Sequence, residues 1–364
     1  MADQITNYQC PNCSGPLRFA GDSGQLQCDS CGTSFEVPVV EQLYADKEQT
    51  AAVAGAEPQW DTNMAGSVWS DEETAHLRAY SCPSCGADLI FDDTTVATSC
   101  PYCDNPTVVP AQVTGSLRPD YVIPFRLDKN AAINALKNYY KGKKFLPSTF
   151  AAGNHIEEIK GVYVPFWLYN GETDAAMRFR GTVVTRHRHG NYEVTTTDHY
   201  RVTREGSVAF EKVPVDGSSK MPDTHMDAIE PYNYGELAPF STAYLPGFLA
   251  DKYDEDADVC SKRANERIVS STERAFASTT KGYSTLVREY SNIVLKKGDV
   301  KYALMPVWML ASKWEGKDFL FAMNGQTGKL IGDLPVDKGK FFAWFGMLAG
   351  IMAAALGLVL FVGM

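Results

Sequence analysis

The stretch CPSCGADLIFDDTTVATSCPYC, residues 82–103, decides how this chain is interpreted. It holds two Cys-x-x-Cys pairs, Cys82 with Cys85 and Cys100 with Cys103, separated by the segment 86–99. Each pair turns the backbone so that two thiolates point at one centre, and a hairpin that brings the second pair back completes a tetrahedral four-sulfur site. The spacing therefore predicts a metal-binding ribbon.

The same pattern occurs earlier, in CPNCSGPLRFAGDSGQLQCDSC at residues 10–31, with an equally long segment, 14–27, between the pairs. The predicted ligands of this first ribbon are Cys10, Cys13, Cys28 and Cys31. Zinc fits both sites best, and iron in a rubredoxin-like site or two disulfides are the alternatives. Protein fills all four positions, so we expect two structural Zn²⁺ sites that do not activate water. A module of about 30 residues has too small a core to fold without metal.

Charge divides the chain into two parts. The net charge is −10, but residues 1–110 hold 3 basic and 16 acidic side chains, while the remainder is slightly basic. Nucleic-acid affinity comes from Lys and Arg that neutralise phosphates, so we expect the ribbons to repel nucleic acid. Four Cys-x-x-Cys pairs without a signal peptide favour metal ligands in the reducing cytoplasm over a secreted disulfide framework.

The remainder of the chain has a mixed pattern of helices and strands. GVYVPFWLY at 161–169 predicts a buried strand that Pro165 places at an edge or a bulge, and the turn Gly190-Asn191 predicts a hairpin. VKYALMPVWML at 300–310 echoes 161–169, which suggests an internal duplication of a strand-helix-strand unit.

The C-terminal segment, FFAWFGMLAGIMAAALGLVLFVGM at 341–364, contains no charge and no proline. As a helix it would measure about 36 Å, enough to cross a hydrocarbon layer of about 30 Å. We therefore predict a single-pass C-terminal anchor, with Lys338 and Lys340 on the cytoplasmic side beside a cytoplasmic N-terminal body. Gly346 and Gly350 form a GxxxG pattern, which indicates either a helix-mediated homo-oligomer or the ordinary use of small residues in a span.

These features predict a multidomain protein. It would consist of two small β-rich zinc ribbons with four cysteine ligands each, an α+β domain with a candidate internal duplication, and one C-terminal transmembrane helix. The predicted boundaries are ribbon one at 1–38, an acidic linker at 39–79, ribbon two at 80–111, the α+β domain at 112–338 and the transmembrane helix at 341–364.

Motifs of catalysis are missing from the sequence. It has no P-loop, no G-x-S-x-G nucleophile elbow and no H-E-x-x-H zinc-protease motif. His187 and His189 would share one face of the hairpin, whereas His199 would lie on the other face, roughly 17 Å away, which argues against a three-histidine site. Cys260 fits a packed helical cysteine better than a reactive thiol. The chain is therefore predicted not to be an enzyme.

Several segments together resemble a known family: the paired ribbons, YVPFWLY, the run VPVDGSSKMPDTHMDAIEPYNYGELAPFSTAYLPGFLADKYD at 213–254, PVWML, NGQTGK and the apolar C-terminus. They are similar to bacterial membrane-anchored TFIIB-type zinc-ribbon proteins, whose members are often labelled primosomal replication helicases. The resemblance covers nearly the whole chain. It implies a place beside phage-shock or flotillin-type (SPFH) membrane proteins.

Two functions follow as hypotheses. The first is a non-enzymatic, membrane-anchored adaptor that presents cytoplasmic zinc ribbons to protein partners, in envelope stress or membrane organisation. The alternative is a nucleic-acid-binding ribbon protein of replication or transcription, and a membrane enzyme that uses the aromatic-rich domain is a further rival.

Overall fold

The computed structural model describes residues 10, 17–21, 24–40, 60–92, 99–105, 109–111, 117–153, 156–190 and 192–362. The chain divides into two compact units. The smaller comprises Met1–Gln59, Glu172–Val208 and Thr272–Lys296, and the larger comprises Trp60–Gly171, Ala209–Ser271 and Lys297–Met364.

The described strands in the first third of the chain are short, and the long strands all lie in the rest. The strands are β1 (Leu17–Ala20), β2 (Gln25–Cys28), β3 (Ser34–Glu36), β4 (Trp60–Asp61), β5 (Leu77–Ser81), β6 (Asp88–Asp92), β7 (Val109–Ala111), β8 (Tyr121–Val122), β9 (Lys160–His189), β10 (Tyr192–Asp216), β11 (Ala238–Pro239), β12 (Leu249–Asp251), β13 (Thr285–Leu295), β14 (Gly298–Trp314), β15 (Lys317–Asn324) and β16 (Leu330–Gly332). The helices are α1 (Asp71–Ala75), α2 (Lys129–Tyr140), α3 (Ser148–Gly153), α4 (Asp223–Ile229), α5 (Ala257–Ser278) and α6 (Lys338–Val362).

The smaller unit contains two sheets. The first is the three-stranded antiparallel sheet β1–β2–β3 of ribbon one. The second is built from the outer halves of β9 and β10 together with β13, and its inner face packs on the end of α5 through Met177, Phe179, Val202 and Phe276. The predicted hairpin is confirmed, because β9 ends at His189 and β10 begins at Tyr192.

The larger unit is organised around the antiparallel pair of β9 and β14. Each central strand has a short parallel neighbour on its outer side, β12 beside β9 and β8 beside β14. The chain runs from β8 through α2 to β9, and from β12 through α5 to β14. The strand order β8-β14-β9-β12 is therefore symmetric about its centre, and the internal duplication stays a prediction.

Pro165 lies in the middle of this sheet, so the expected edge or bulge is wrong. It pairs in regular register with Leu304 of β14. Its carbonyl oxygen points away from β14 and accepts a hydrogen bond from Gly217 N (2.9 Å). Because the N–H and C=O of a strand residue point to the same side, the missing N–H also faces the Gly217 loop. The proline thus removes no hydrogen bond from the central ladder.

The core of the larger unit surrounds the two central strands and reaches the second ribbon. Its buried members include Leu89, Ile123, Val164, Phe166 and Met305, and the ribbon cysteines Cys82 and Cys100 belong to the same cluster. Trp167 is also buried, and its indole N–H donates to Glu255 O (2.9 Å). Trp167 of the aromatic-rich domain therefore fills the interior, as aromatic side chains most often do.

The prediction of a transmembrane helix over 341–364 is wrong. Within the part of the chain that the structure describes, no helix combines the length and the apolar character needed to cross a bilayer.

Two other expectations depended on that span. The fold class is corrected to a mostly β-rich chain without the C-terminal transmembrane helix, and the single-pass membrane localisation is wrong for the same reason. Gly346 and Gly350 lie on α6, and a β-carbon added at either glycine would meet no atom within 4 Å apart from its chain neighbours and the backbone of its own helix. The helix-mediated homo-oligomer through these glycines stays a prediction.

Candidate metal centres

Ribbon two brings four thiols together as its spacing predicts. The sulfur atoms of Cys82, Cys85, Cys100 and Cys103 all lie within 4.8 Å of one another. The Sγ–Sγ distance is 3.6 Å both for Cys82 with Cys103 and for Cys85 with Cys100. Metal–sulfur bonds of about 2.3 Å in a tetrahedron place sulfurs about 3.8 Å apart, whereas a disulfide needs about 2.05 Å. The four thiols therefore fit a metal ion.

Local hydrogen bonds explain why each Cys-x-x-Cys segment folds into a turn. Cys82 N donates to Ala87 O (2.9 Å), and Gly86 N donates back to Cys82 O (2.8 Å). The turn at Cys100 repeats this pattern with Asn105 O and Asp104 N. The residue after the second cysteine takes a left-handed conformation in both turns, with φ of 71° at Gly86 and 55° at Asp104. Glycine accepts this conformation without steric cost, and aspartate is among the residues that tolerate it.

Ribbon one has the same local geometry. Cys28 N donates to Thr33 O (3.0 Å), Gly32 N donates to Cys28 O (2.9 Å), and Gly32 has a φ of 72°. Cys10, Cys28 and Cys31 form a cluster in which the Sγ atoms of Cys10 and Cys31 are 3.6 Å apart. The fourth predicted ligand, Cys13, lies outside the described residues. Two cysteine clusters that could bind metal ions are thus present in the chain.

The two clusters differ in their surroundings. Ribbon two is continuous with the large sheet, the sheet of the larger unit that contains β8, β14, β9 and β12. Strand β6 pairs with β5 and also with β12, through Ile90 and Ala250. Cys82 and Cys100 are buried, and Cys85 and Cys103 are half-buried. The sheet of ribbon one consists of β1, β2 and β3, and its Cys31 is exposed.

Electrostatics in ribbon two favour a bound cation. Burial raises the pKa of Cys85 to about 11 and raises that of Cys100 well above the usual range of a thiol. Burial also opposes the thiolate of Cys82, but the backbone N–H groups of Cys85 and Ser84 outweigh it and lower the pKa to about 7. Four thiolates at this density need an opposite charge, and a divalent metal ion supplies it while deprotonating its ligands.

Lys160 is a charged neighbour of this centre that the sequence did not indicate. It is the first residue of β9, and its Nζ donates to Ser99 O (2.9 Å) and to Ser99 Oγ, one residue before Cys100. Burial lowers the pKa of Lys160, and the nearby Asp104, Cys100 and Cys103 oppose that shift. The ammonium group therefore offsets part of the negative charge of a four-thiolate site.

A buried polar cluster contacts the other side of the Cys100 turn. Ser218 Oγ donates to Asp251 Oδ2 (2.6 Å), and both residues are almost fully buried. Tyr102, inside the turn, interacts electrostatically with Asp251, but its hydroxyl and Asp251 Oδ1 have no hydrogen-bond partner of good geometry. Burial raises the pKa of Asp251 to about 7. The sequence around Asp251 does not predict this cluster, because the partner Ser218 lies 33 positions away in the chain.

The remaining candidate residues do not assemble a catalytic site among the described residues. His187, His189 and His199 are exposed on the hairpin of β9 and β10. Cys260 is 4% exposed with its sulfur 3.5 Å from Asp216 O, and burial raises its pKa to about 12. These contacts favour a packed cysteine over a reactive one.

The NGQTGK segment, residues 324–329, forms a turn with a structural role. Asn324 Oδ1 accepts hydrogen bonds from Gln326 N and Thr327 N (both 2.9 Å). The side-chain amide of Gln326 accepts a hydrogen bond from Asn233 N through its oxygen and donates one to Asn233 O through its nitrogen. The segment therefore holds the loop after α4 in place.

Comparison with known proteins identifies one informative relative. The chain is 36% identical over 355 residues to the protein of Bacillus subtilis (strain 168) named "Uncharacterized protein YdjG", with 98% of this chain and 97% of that protein covered. No family model matches the chain. No solved structure matches it either.

Proposed function

We propose that this chain, which belongs to the same family as the Bacillus subtilis protein YdjG, is a non-enzymatic zinc-ribbon adaptor that binds a protein partner through ribbon one. The observation that carries the proposal is the contrast between two centres built on one motif. Ribbon two is part of a core, whereas ribbon one has its own small sheet and an exposed surface. We also propose that the family is related to the TFIIB-type zinc-ribbon proteins.

Zinc is the metal that we propose for both centres. Four cysteines in a tetrahedral arrangement select zinc or iron, and the closed site leaves no position for water or substrate. Cys82, Cys85, Cys100 and Cys103 would hold one ion, and Cys10, Cys13, Cys28 and Cys31 the other. The ion would fix the turns and supply positive charge, which is a structural role.

Ribbon one offers the features of a docking surface. Phe19 on β1 is 57% exposed, and Val39 just after β3 is also exposed. Asp29 and Glu36 are exposed nearby in sequence, and residues 1–110 of the chain hold 16 acidic side chains. An aromatic anchor with a charged rim is typical of protein interfaces. The surface therefore fits a basic protein partner with an apolar pocket.

The experiment compares affinity purifications of the full chain and two single variants from cell extract. We expect a specific partner with the wild-type chain, loss of that partner with Phe19→Ser, and its retention with Tyr192→Ser. Tyr192 is 79% exposed on the hairpin and serves as the matched control. Truncation of a central aromatic anchor costs about 2 kcal/mol or more, which is roughly a 30-fold loss of affinity. A partner that both variants bind equally would contradict the role of ribbon one.

Nucleic-acid binding is a second candidate because of one specific observation. Strand β9 carries Arg178, Arg180, Arg186 and Arg188 at alternating positions, hence on one face, over about 33 Å. Tyr290 of β13 lies on the same face, 5.6 Å from the Arg178 guanidinium to its ring centre. Arginines with an aromatic neighbour suit single-stranded nucleic acid. Two of the four also pair with glutamates, at 3.6 and 3.9 Å, which weakens the case.

Fluorescence anisotropy with a single-stranded oligonucleotide tests this candidate. If the four arginines contact phosphates, affinity falls about 50-fold between 50 and 200 mM salt. The double variant Arg186→Glu/Arg188→Glu should then lose binding, while Lys137→Glu on α2 keeps it. Binding that is absent at 50 mM salt, or unchanged in the double variant, removes the candidate.

A further inference from the structure

We propose that ribbon one is an oxidation site, in which a peroxide converts Cys10 and Cys31 to a disulfide and releases the metal, while ribbon two keeps its metal. This inference rests on the metal binding that is part of the proposed function. It adds a regulatory property, because the partner-binding ribbon would change state with oxidant. Two centres within one chain allow a direct comparison.

Accessibility is the first difference. A thiolate reacts with peroxide only where the oxidant reaches the sulfur. Cys31 is exposed, whereas in ribbon two Cys82 and Cys100 are buried and Cys103, which corresponds to Cys31, is half-buried against the core. The same ligand position is thus more open to solvent in ribbon one than in ribbon two.

Structural support is the second difference. Ribbon one is held by the short strands β1, β2 and β3, and its Arg18–Asp29 ion pair is exposed. Exposed pairs of this kind add little stability. In ribbon two, β6 pairs with β5 on one side and β12 on the other, and β12 pairs with the central strand β9. Opening ribbon two therefore breaks the large sheet, while ribbon one can open locally at lower cost.

The sulfur–sulfur distances allow a disulfide in either ribbon and so do not decide between the two ribbons. The Sγ atoms of Cys10 and Cys31 are 3.6 Å apart, and those of Cys82 and Cys103 are also 3.6 Å apart. Either pair needs an approach of about 1.5 Å to reach the disulfide length. Accessibility and support, rather than distance, therefore decide which pair is oxidised. Ribbon two is an internal control.

The chemistry balances with hydrogen peroxide as the oxidant. The Cys31 thiolate attacks a peroxide oxygen, the O–O bond breaks, and a sulfenic acid and hydroxide form. The Cys10 thiolate then attacks the Cys31 sulfur, which forms the S–S bond and expels a second hydroxide. Two protons from solvent convert both hydroxides to water. The two thiols have lost two electrons to the peroxide, and the metal leaves because two ligands are gone.

The test uses the full chain loaded with two equivalents of zinc. Hydrogen peroxide is added in the presence of a chromogenic chelator, and cysteine pairs are mapped by alkylation and mass spectrometry. We expect the first equivalent to leave at least about tenfold faster than the second, together with a Cys10–Cys31 disulfide. Equal release rates, or a Cys82–Cys103 disulfide that forms first, would overturn the inference.

A variant separates this inference from the proposed metal binding. Cys31→Ser should bind about one zinc ion through ribbon two and release none of it at the peroxide concentration that empties ribbon one. Release from this variant at the fast wild-type rate would assign the sensitive centre to ribbon two and overturn the inference. A wild-type chain that binds no metal would instead overturn the metal sites themselves, a distinct outcome.

Discussion

Replacement of Cys100 by serine is expected to unfold the larger unit or to lower its free energy of unfolding by more than about 4 kcal/mol, the range seen when a structural metal is lost. Cys100 is 0% exposed and belongs to the core cluster that surrounds β9 and β14. The change removes a metal ligand and also leaves a buried hydroxyl beside the raised-pKa thiol of Cys85. Urea denaturation with metal analysis of the same sample measures the effect.

Two controls separate loss of metal from loss of a buried sulfur. Cys260→Ser makes the same chemical change at a site that is 4% exposed but holds no metal in the proposed scheme, and we expect it to cost about 1–3 kcal/mol. Cys10→Ser disrupts ribbon one and should leave the unfolding of the larger unit unchanged. If Cys100→Ser unfolds at the same urea concentration as Cys260→Ser, ribbon two does not depend on metal.

The cysteine clusters could be predicted from sequence because their geometry is local. The turn over residues 82–87, closed by hydrogen bonds such as Cys82 N to Ala87 O, is specified by the residues within it. The hairpin at Gly190 is local in the same sense, since a two-residue loop fixes its register. These features depend on neighbours in the chain, and the sequence shows those neighbours directly.

Contacts between distant residues could not be predicted in the same way. Lys160 reaches Ser99 across 61 positions, and Ser218 reaches Asp251 across 33. Pro165 was misplaced for the same reason, because its tolerance in a central strand depends on the Gly217 loop on its open side. The terminal helix shows another limit: its apolar run led to the prediction of a membrane span, which the structure contradicts for the described residues.

Substitution of Asp251 by asparagine should make the protein less sensitive to rising pH. Burial raises the folded-state pKa of Asp251 to about 7, above the ordinary value of 3.8. The folded state therefore binds more protons at Asp251 than the unfolded state between these values. The stabilising contribution of the protonated Asp251 is full below about 3.8, falls as pH rises and is lost above about 7. Asparagine cannot ionise, and its amide can donate to the unpartnered Tyr102 hydroxyl.

The readout is the difference in free energy of unfolding between Asp251→Asn and the wild type. We expect it to shift by about 2–3 kcal/mol in favour of the variant from pH 5 to pH 8, since one pKa unit corresponds to about 1.4 kcal/mol. Using the difference cancels the pH dependence of metal binding, which both proteins share. Lys220, Asp254 and Tyr302 also interact with this carboxyl, and they are identical in the two proteins.

Asp254→Asn is the matched control, because the same substitution three residues away should act in the opposite direction. Although burial opposes it, hydrogen bonds from Ser219 and Lys220 lower the pKa of Asp254, so its ionised form stabilises the fold at pH values above its unfolded pKa. The variant should therefore be less stable than the wild type at both pH 5 and pH 8. A flat difference for Asp251→Asn would mean that Asp251 is ionised throughout, with Lys220 as its counter-ion, and the polar cluster behind the Cys100 turn would then be an ion pair rather than a neutral hydrogen-bonded acid.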